Sequence, residues 1–228
     1  MRCRGLLGAN GDRGECTGAG AGFAALGRGS LPQCVANATD ECGAPEFFGH
    51  GLRLEGLPGE GGKIPAEVLQ AALAGYGGHS PHQMVPAALS ITQASEAGTI
   101  YRTDEIATLA ELAHRRSLAV HMDGARFANA LVRLNATPAE MTWCSGVDVL
   151  SLGATKGGAL AAEAVVFFDP AAAAFFGERR KRGGQLLSKH RFIAAHLLAF
   201  LADNRWLALA RHANTMADIG GGTRWRRP

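Results

Sequence analysis

Val147-Asp148-Val149-Leu150-Ser151-Leu152-Gly153-Ala154-Thr155-Lys156-Gly157 reads as a strand that delivers a lysine just past its end. Residues 147–152 form a short, mostly apolar run of strand length, the kind found in sheets covered on both faces. Gly153, Ala154 and Gly157 surround the lysine with small side chains. The expectation is that they leave room for something flat and bulky beside the amine. A lysine that reacts as a free amine near neutral pH must be partly desolvated. A solvated loop lysine needs neither the apolar approach nor the small neighbours, and that reading of Lys156 is the weaker one.

Upstream, residues 118–122 form another strand, which ends in His121-Met122-Asp123-Gly124-Ala125-Arg126. In an open α/β sheet, ligands bind beyond the carboxyl ends of the strands. Asp123 before a glycine reads equally as a functional acid or as a turn-former and helix cap. His121 reads as a packed strand histidine rather than a catalyst. An aspartate and a lysine at neighbouring strand ends suit pyridoxal 5'-phosphate. The lysine holds the aldehyde, and the aspartate keeps the pyridine nitrogen protonated.

Further strands are expected at 87–92 and 164–168. Helices are expected at 65–73, with proline in the first turn, at 127–134 and at 192–209. Thr103 is expected to cap another helix, with Asp104 and Glu105 in its first turn and Ile106, Leu109, Leu112 and Ala113 on its apolar face. The alternation implies an α/β fold with a mainly parallel sheet covered by helices.

Composition narrows the function classes. The chain has 228 residues, 47% of them hydrophobic, and a net charge of +3. Apart from Arg179-Arg180-Lys181-Arg182 and the C-terminus its basic residues are scattered, so no nucleic-acid partner is expected. The apolar stretch 159–168 is broken by Glu163, and no membrane span or signal peptide is read. Five cysteines without Cys-x-x-Cys spacing point to no metal site and to a reducing, cytoplasmic setting. Gly18-Ala19-Gly20-Ala21-Gly22 fails as a nucleotide loop, because no strand precedes it and the third glycine is missing.

His121-Met122-Asp123-Gly124-Ala125-Arg126-Phe127 and Gly153-Ala154-Thr155-Lys156-Gly157-Gly158 together resemble the low-specificity L-threonine aldolase family. Asp40 to Phe47, Leu89-Ser90-Ile91-Thr92-Gln93 and Arg180-Lys181-Arg182-Gly183-Gly184 resemble it too. The resemblance runs from about residue 40 to 218. It implies the large domain of an aspartate-aminotransferase-like, PLP-dependent transferase fold. The implied activity is PLP-dependent cleavage of L-threonine or L-allo-threonine to glycine and acetaldehyde, in a homo-oligomeric enzyme acting on a small amino acid.

The resemblance also implies roles. Lys156 is the catalytic lysine that carries the cofactor, and Asp123 pairs with the ring nitrogen. Arg126 lies near the ring's phenolic oxygen and the substrate carboxylate, though a plain ion pair is its alternative. Thr155 lies near the phosphate, with residues 181–184 beside it. The stretch Gln93-Ala94-Ser95 occupies the place where many members carry a histidine facing the substrate hydroxyl; the alternative for Gln93 is a strand-end amide without substrate contact. Without that histidine, removal of the hydroxyl proton falls to water or another group.

Three regions are expected: an aberrant or poorly ordered leader at 1–39, part of the PLP-binding domain at 40–218, and an aberrant tail at 219–228 that cannot continue a helix. In this reading the domain is incomplete, with irregular ends. The small C-terminal domain is missing, and the histidine that stacks on the cofactor would fall near Ala36. Strands such as 147–152 would then lack helices on one face. The competing readings are an inactive or subunit-associating remnant, and another PLP lyase or transaminase of the same fold.

Overall fold

The computed structural model describes residues 4–8, 27–32, 41–49, 52–76, 82 and 84–222. Seven strands form one sheet: β1 (Arg4–Gly8), β2 (Gly27–Pro32), β3 (Arg53–Leu57), β4 (Val85–Thr92), β5 (Ala119–Gly124), β6 (Val149–Gly153) and β7 (Glu163–Phe167). Their spatial order is β1-β7-β6-β5-β4-β2-β3. Strands β3, β2, β4, β5 and β6 run parallel, while β7 is antiparallel to both of its neighbours, β6 and β1. The expected mainly parallel α/β sheet is therefore present.

Eight helices accompany it among the described residues: α1 (Ala44–Phe48), α2 (Ala66–Ala74), α3 (Thr103–His114), α4 (Phe127–Leu134), α5 (Pro138–Met141), α6 (Phe176–Arg182), α7 (Arg191–Leu201) and α8 (Arg205–Gly222). Successive strand residues point to opposite faces, and in β5 every residue from Val120 to Gly124 is buried. Both faces of the central sheet are thus covered. The same holds for β6, where Val149 packs with Val165, Phe167 and Phe176 and Leu150 belongs to the main core. The expected bare face at residues 147–152 is not found there, because α6 folds its Phe176 over it.

The other departures have local causes. Two segments of the 1–39 leader, Arg4–Gly8 and Gly27–Pro32, are strands. Sheet pairing supplies backbone hydrogen bonds to any residue type, so a partner strand overrides low intrinsic propensity. The rest of that leader, with the Gly18 to Gly22 run and Ala36, lies outside the described residues. The cap of α3 is Arg102, whose backbone N–H donates to Glu105 Oε2 at 2.7 Å, and Thr103 is its first helical residue.

The expected helix at 192–209 is two helices, broken at Ala202–Asn204, where Asp203 and Asn204 take positive φ. Helix α8 then runs on to Gly222, through the glycines expected to end it. Each glycine costs a helix about 1 kcal/mol, which α8 sustains because it docks along α4. Asn129 Nδ2 donates to Asn214 Oδ1 at 2.9 Å, and Arg133 pairs with Asp218 at 2.8 Å. Together α7 and α8, Arg191–Gly220, are long and apolar enough to cross a membrane by length and composition alone. The sequence reading finds no such stretch. In the structure Leu197, Phe200, Trp206 and Ala210 from this segment pack into the core.

A buried polar chain crosses the centre of the sheet. Ser90 Oγ lies 2.8 Å from His121 Nδ1, and His121 Nε2 lies 2.9 Å from Ser151 Oγ, joining β4, β5 and β6. This makes His121 the packed strand histidine expected. Burial pushes its imidazole down to about 4, so the native state holds it neutral where the unfolded chain protonates it near 6.5. That contribution to stability is whole above pH 6.5 and is lost as pH falls toward 4, at a cost of about 3 kcal/mol. Urea unfolding at pH 7 and pH 4.5 measures it, and a His121→Gln variant should lack this part of the pH slope.

Candidate active site

The site forms where β5 and β6 end side by side. Asp123 pairs with Ser151 across the two strands, and the turn Thr155–Gly157 follows β6 directly. Asp123 is 1% exposed. Its Oδ1 accepts the Ala125 backbone N–H at 3.0 Å, the bond of an aspartate turn. The turn-forming reading of Asp123 is therefore correct, whereas the capping reading is not, because Arg126 occupies the N-cap of α4.

Lys156 is exposed on its turn and lines a cleft of about 610 Å³ together with Ala94, Ser95, Arg126 and Asn129. Arg126 Nη1 donates to the Lys156 carbonyl at 3.0 Å, tying the loop after β5 to the turn after β6. Three of the expected site residues thus converge: Lys156 and Arg126 on the cleft, and Asp123 buried next to Ala125 on its wall.

The small residues around Lys156 have a different purpose from the one expected. A Cβ on Gly153 would lie 2.7 Å from Ala125 Cα, and one on Gly157 would lie 2.7 Å from the Phe200 ring. The glycines let the protein's own parts close up, bringing the ends of β5 and β6 together and seating α7 against the turn. They do not hold space open for a ligand.

Two expected residues are placed otherwise. Gln93 is fully buried. Its Nε2 donates to the Tyr101 carbonyl at 2.8 Å and its Oε1 accepts the Tyr101 N–H at 3.0 Å. This amide imitates a strand neighbour, so Gln93 cannot reach a substrate without breaking two buried bonds; Ala94 and Ser95 face the cleft instead. The Thr155 hydroxyl donates to Glu163 Oε1 at 2.5 Å, which commits its proton to a carboxylate of the chain itself. The basic run 179–182 forms the end of α6, and residues 181–184 do not line the cleft.

The far wall of the cleft comes from α4 and α8, through Asn129, Arg133, Asn214 and Asp218. Arg126, Asn129 and Arg133 sit at helical spacing on one face of α4. That polar stripe was readable in the sequence. Its partners on α8 lie 85 residues away along the chain, and no local pattern announces them.

Residues 33–220 match the model of the beta-eliminating lyase family. The chain belongs to that family. As a beta-eliminating lyase family member it is similar to the low specificity L-threonine aldolase of Pseudomonas sp. (strain NCIMB 10558), with 46% identity over 182 residues. The match covers 79% of this chain and 52% of that protein. The low specificity L-threonine aldolase of Pseudomonas aeruginosa is equally similar, at 46% identity over 182 residues, 79% of this chain and 52% of the relative. The chain spans about half the length of the curated relatives it matches.

Among solved structures, a Leishmania major threonine aldolase superposes with a TM-score of 0.87 at 24% identity, covering 95% of this chain and 62% of that one. A Thermus thermophilus aspartate aminotransferase superposes at 0.67 with 14% identity, covering 92% and 56%. These superpositions place this beta-eliminating lyase family member in the aminotransferase-like fold.

Proposed function

We propose that this chain forms the lysine-and-aspartate part of a pyridoxal-phosphate-dependent aldehyde-lyase that cleaves L-threonine or L-allo-threonine to glycine and acetaldehyde. The observation that carries the reading is the meeting of Lys156 and Arg126 on one cleft with Asp123 buried at the adjacent strand end. Identity of 46% to the low specificity L-threonine aldolases over the same residues supports it.

Pyridoxal phosphate fits this donor set. It requires an amine for its aldehyde, a carboxylate for its ring nitrogen and cations for its phosphate. Lys156 and Asp123 would meet the first two needs; Arg126 brings positive charge to the cleft, whereas Arg133 is paired there with Asp218. When bound, the cofactor supplies an electron sink conjugated to the substrate α-carbon.

The chain's own residues do the rest. Lys156 Nζ would hold the aldehyde. The Asp123 carboxylate would accept a charge-assisted hydrogen bond from the ring nitrogen and so favour a proton there. The Arg126 guanidinium grips the substrate carboxylate, and that grip selects the Cα–Cβ bond for cleavage. Residues 93–95 offer no base, so removal of the β-hydroxyl proton falls to water or to another group of the cleft, which Glu96 also lines. The exposed apolar side chains Phe192, Leu198 and Ile219 on α7 and α8 support the homo-oligomer that the resemblance implies. The cytoplasmic setting remains part of this proposal.

The test is product analysis of the full chain with pyridoxal phosphate and L-threonine. Glycine and acetaldehyde should form in equal amounts. A folded, cofactor-loaded chain that produces neither would refute the reading, and 2-oxo acid formed with an amino acceptor would identify a transaminase instead.

A further inference from the structure

Glu163 interrupts the apolar run 159–168, and the chemistry above gives it no part. It opens β7, pairs with Gly153 at the end of β6, and is 5% exposed. One of its oxygens, Oε1, accepts both the Thr155 backbone N–H at 3.1 Å and the Thr155 hydroxyl at 2.5 Å. The other, Oε2, lies so close to β6 that a Cβ on Gly153 would stand 3.1 Å from it. The antiparallel course of β7 is what brings a residue so near in sequence back against the lysine turn.

We infer that Glu163 is the positioning residue for Lys156, clasping Thr155 and so fixing the backbone of the turn from which Lys156 enters the cleft. The turn is gripped from both sides with matching polarity. The anion Glu163 takes its first N–H, and the cation Arg126 donates to the carbonyl of Lys156 itself at 3.0 Å. No side chain caps the turn from within. Two donors converging on one oxygen need an acceptor with two lone pairs, and an ionised one bonds more strongly.

The surroundings make the clasp sensitive to pH. Burial pushes the Glu163 carboxyl up, the Thr155 bonds pull it back, and the nearby charge of Asp123 on β5 pushes it up again. The charge that acts on it is that of Asp123 from β5. The residue opposite on β1 is Gly8, which brings none.

The test uses the full chain without cofactor and reads amide hydrogen exchange at Thr155 against the amides of β5. Glu163→Ala should speed exchange at Thr155 by on the order of 10- to 100-fold. Glu163→Gln keeps a neutral acceptor and should restore only part of the protection at pH 7, because an ionised acceptor bonds more strongly. Corrected for intrinsic exchange, the parent's protection should fall toward the Glu163→Gln level as pH drops through the raised carboxyl range, while the Glu163→Gln profile stays flat. A role in packing alone would move neither profile.

Exchange at Thr155 within about twofold of the parent in a folded Glu163→Ala would overturn the inference. Superimposable pH profiles for the parent and Glu163→Gln would also overturn it, and that comparison decides the matter if the alanine variant does not fold. Because no cofactor enters, the outcome is independent of whether the chain cleaves threonine. Borohydride fixation of pyridoxal phosphate at Lys156 is a second readout, expected to slow about tenfold in Glu163→Ala and to recover in Glu163→Gln.

Discussion

Lys156→Ala should abolish covalent retention of pyridoxal phosphate. After borohydride treatment the parent chain should carry the reduced cofactor on the peptide containing Lys156, and the variant should carry none. Threonine cleavage should fall by at least on the order of a thousandfold, because removing the group that forms the covalent bond removes the reaction path and not merely some binding. Among the described residues no other lysine lines the cleft: Lys63 is tied to Glu105 at 2.6 Å, and neither it nor Lys181 nor Lys189 is part of the lining. Stability should change by less than about 0.5 kcal/mol, since an exposed side chain away from the core is removed. Peptide mapping together with a thermal melt checks both parts. Cofactor still fixed to the variant at another lysine would remove Lys156 from its role.

Asp123→Asn separates holding the cofactor from activating it. Asparagine has the same shape and keeps the oxygen that accepts the Ala125 N–H, so the turn at the end of β5 should persist. It lacks the negative charge that keeps a proton on the ring nitrogen. Borohydride should therefore still fix the cofactor on Lys156, while cleavage should drop by on the order of 100- to 1,000-fold, the scale of losing one preorganised electrostatic partner. Asp123 is buried, so its charge acts with little solvent screening. A variant that cleaves threonine within about threefold of the parent would show that Asp123 only shapes its turn.

The parts that could be read in advance were those encoded locally. The strands at β4, β5 and β6 show as short apolar runs, and α4 shows at its observed bounds. Lys156 and Asp123 are legible as candidates because each sits within a few residues of a strand end, while Arg126 enters through the resemblance. Where the reading failed, the deciding atoms came from elsewhere in the chain. Gln93 looks like a substrate ligand until the Tyr101 backbone closes on both ends of its amide. Thr155 looks like a phosphate donor until β7 returns Glu163 to it. The glycine-rich segments at both ends lack helix and strand propensity, yet pairing with β7, β3 and β4 makes strands near one end and docking on α4 sustains a helix toward the other.

Residue order and periodicity alone establish a covered, mainly parallel α/β sheet with a lysine and an aspartate at adjacent strand ends, because hydrophobic period and strand-end chemistry are properties of consecutive residues. Tertiary structure alone decides how that lysine is held. The clasp of Glu163 on Thr155, the reach of Arg126 to the Lys156 carbonyl and the wall that α8 builds across from α4 all join residues separated by strands or whole helices. Such contacts depend on where the sheet and its crossovers carry each atom, which no local stretch of the chain contains.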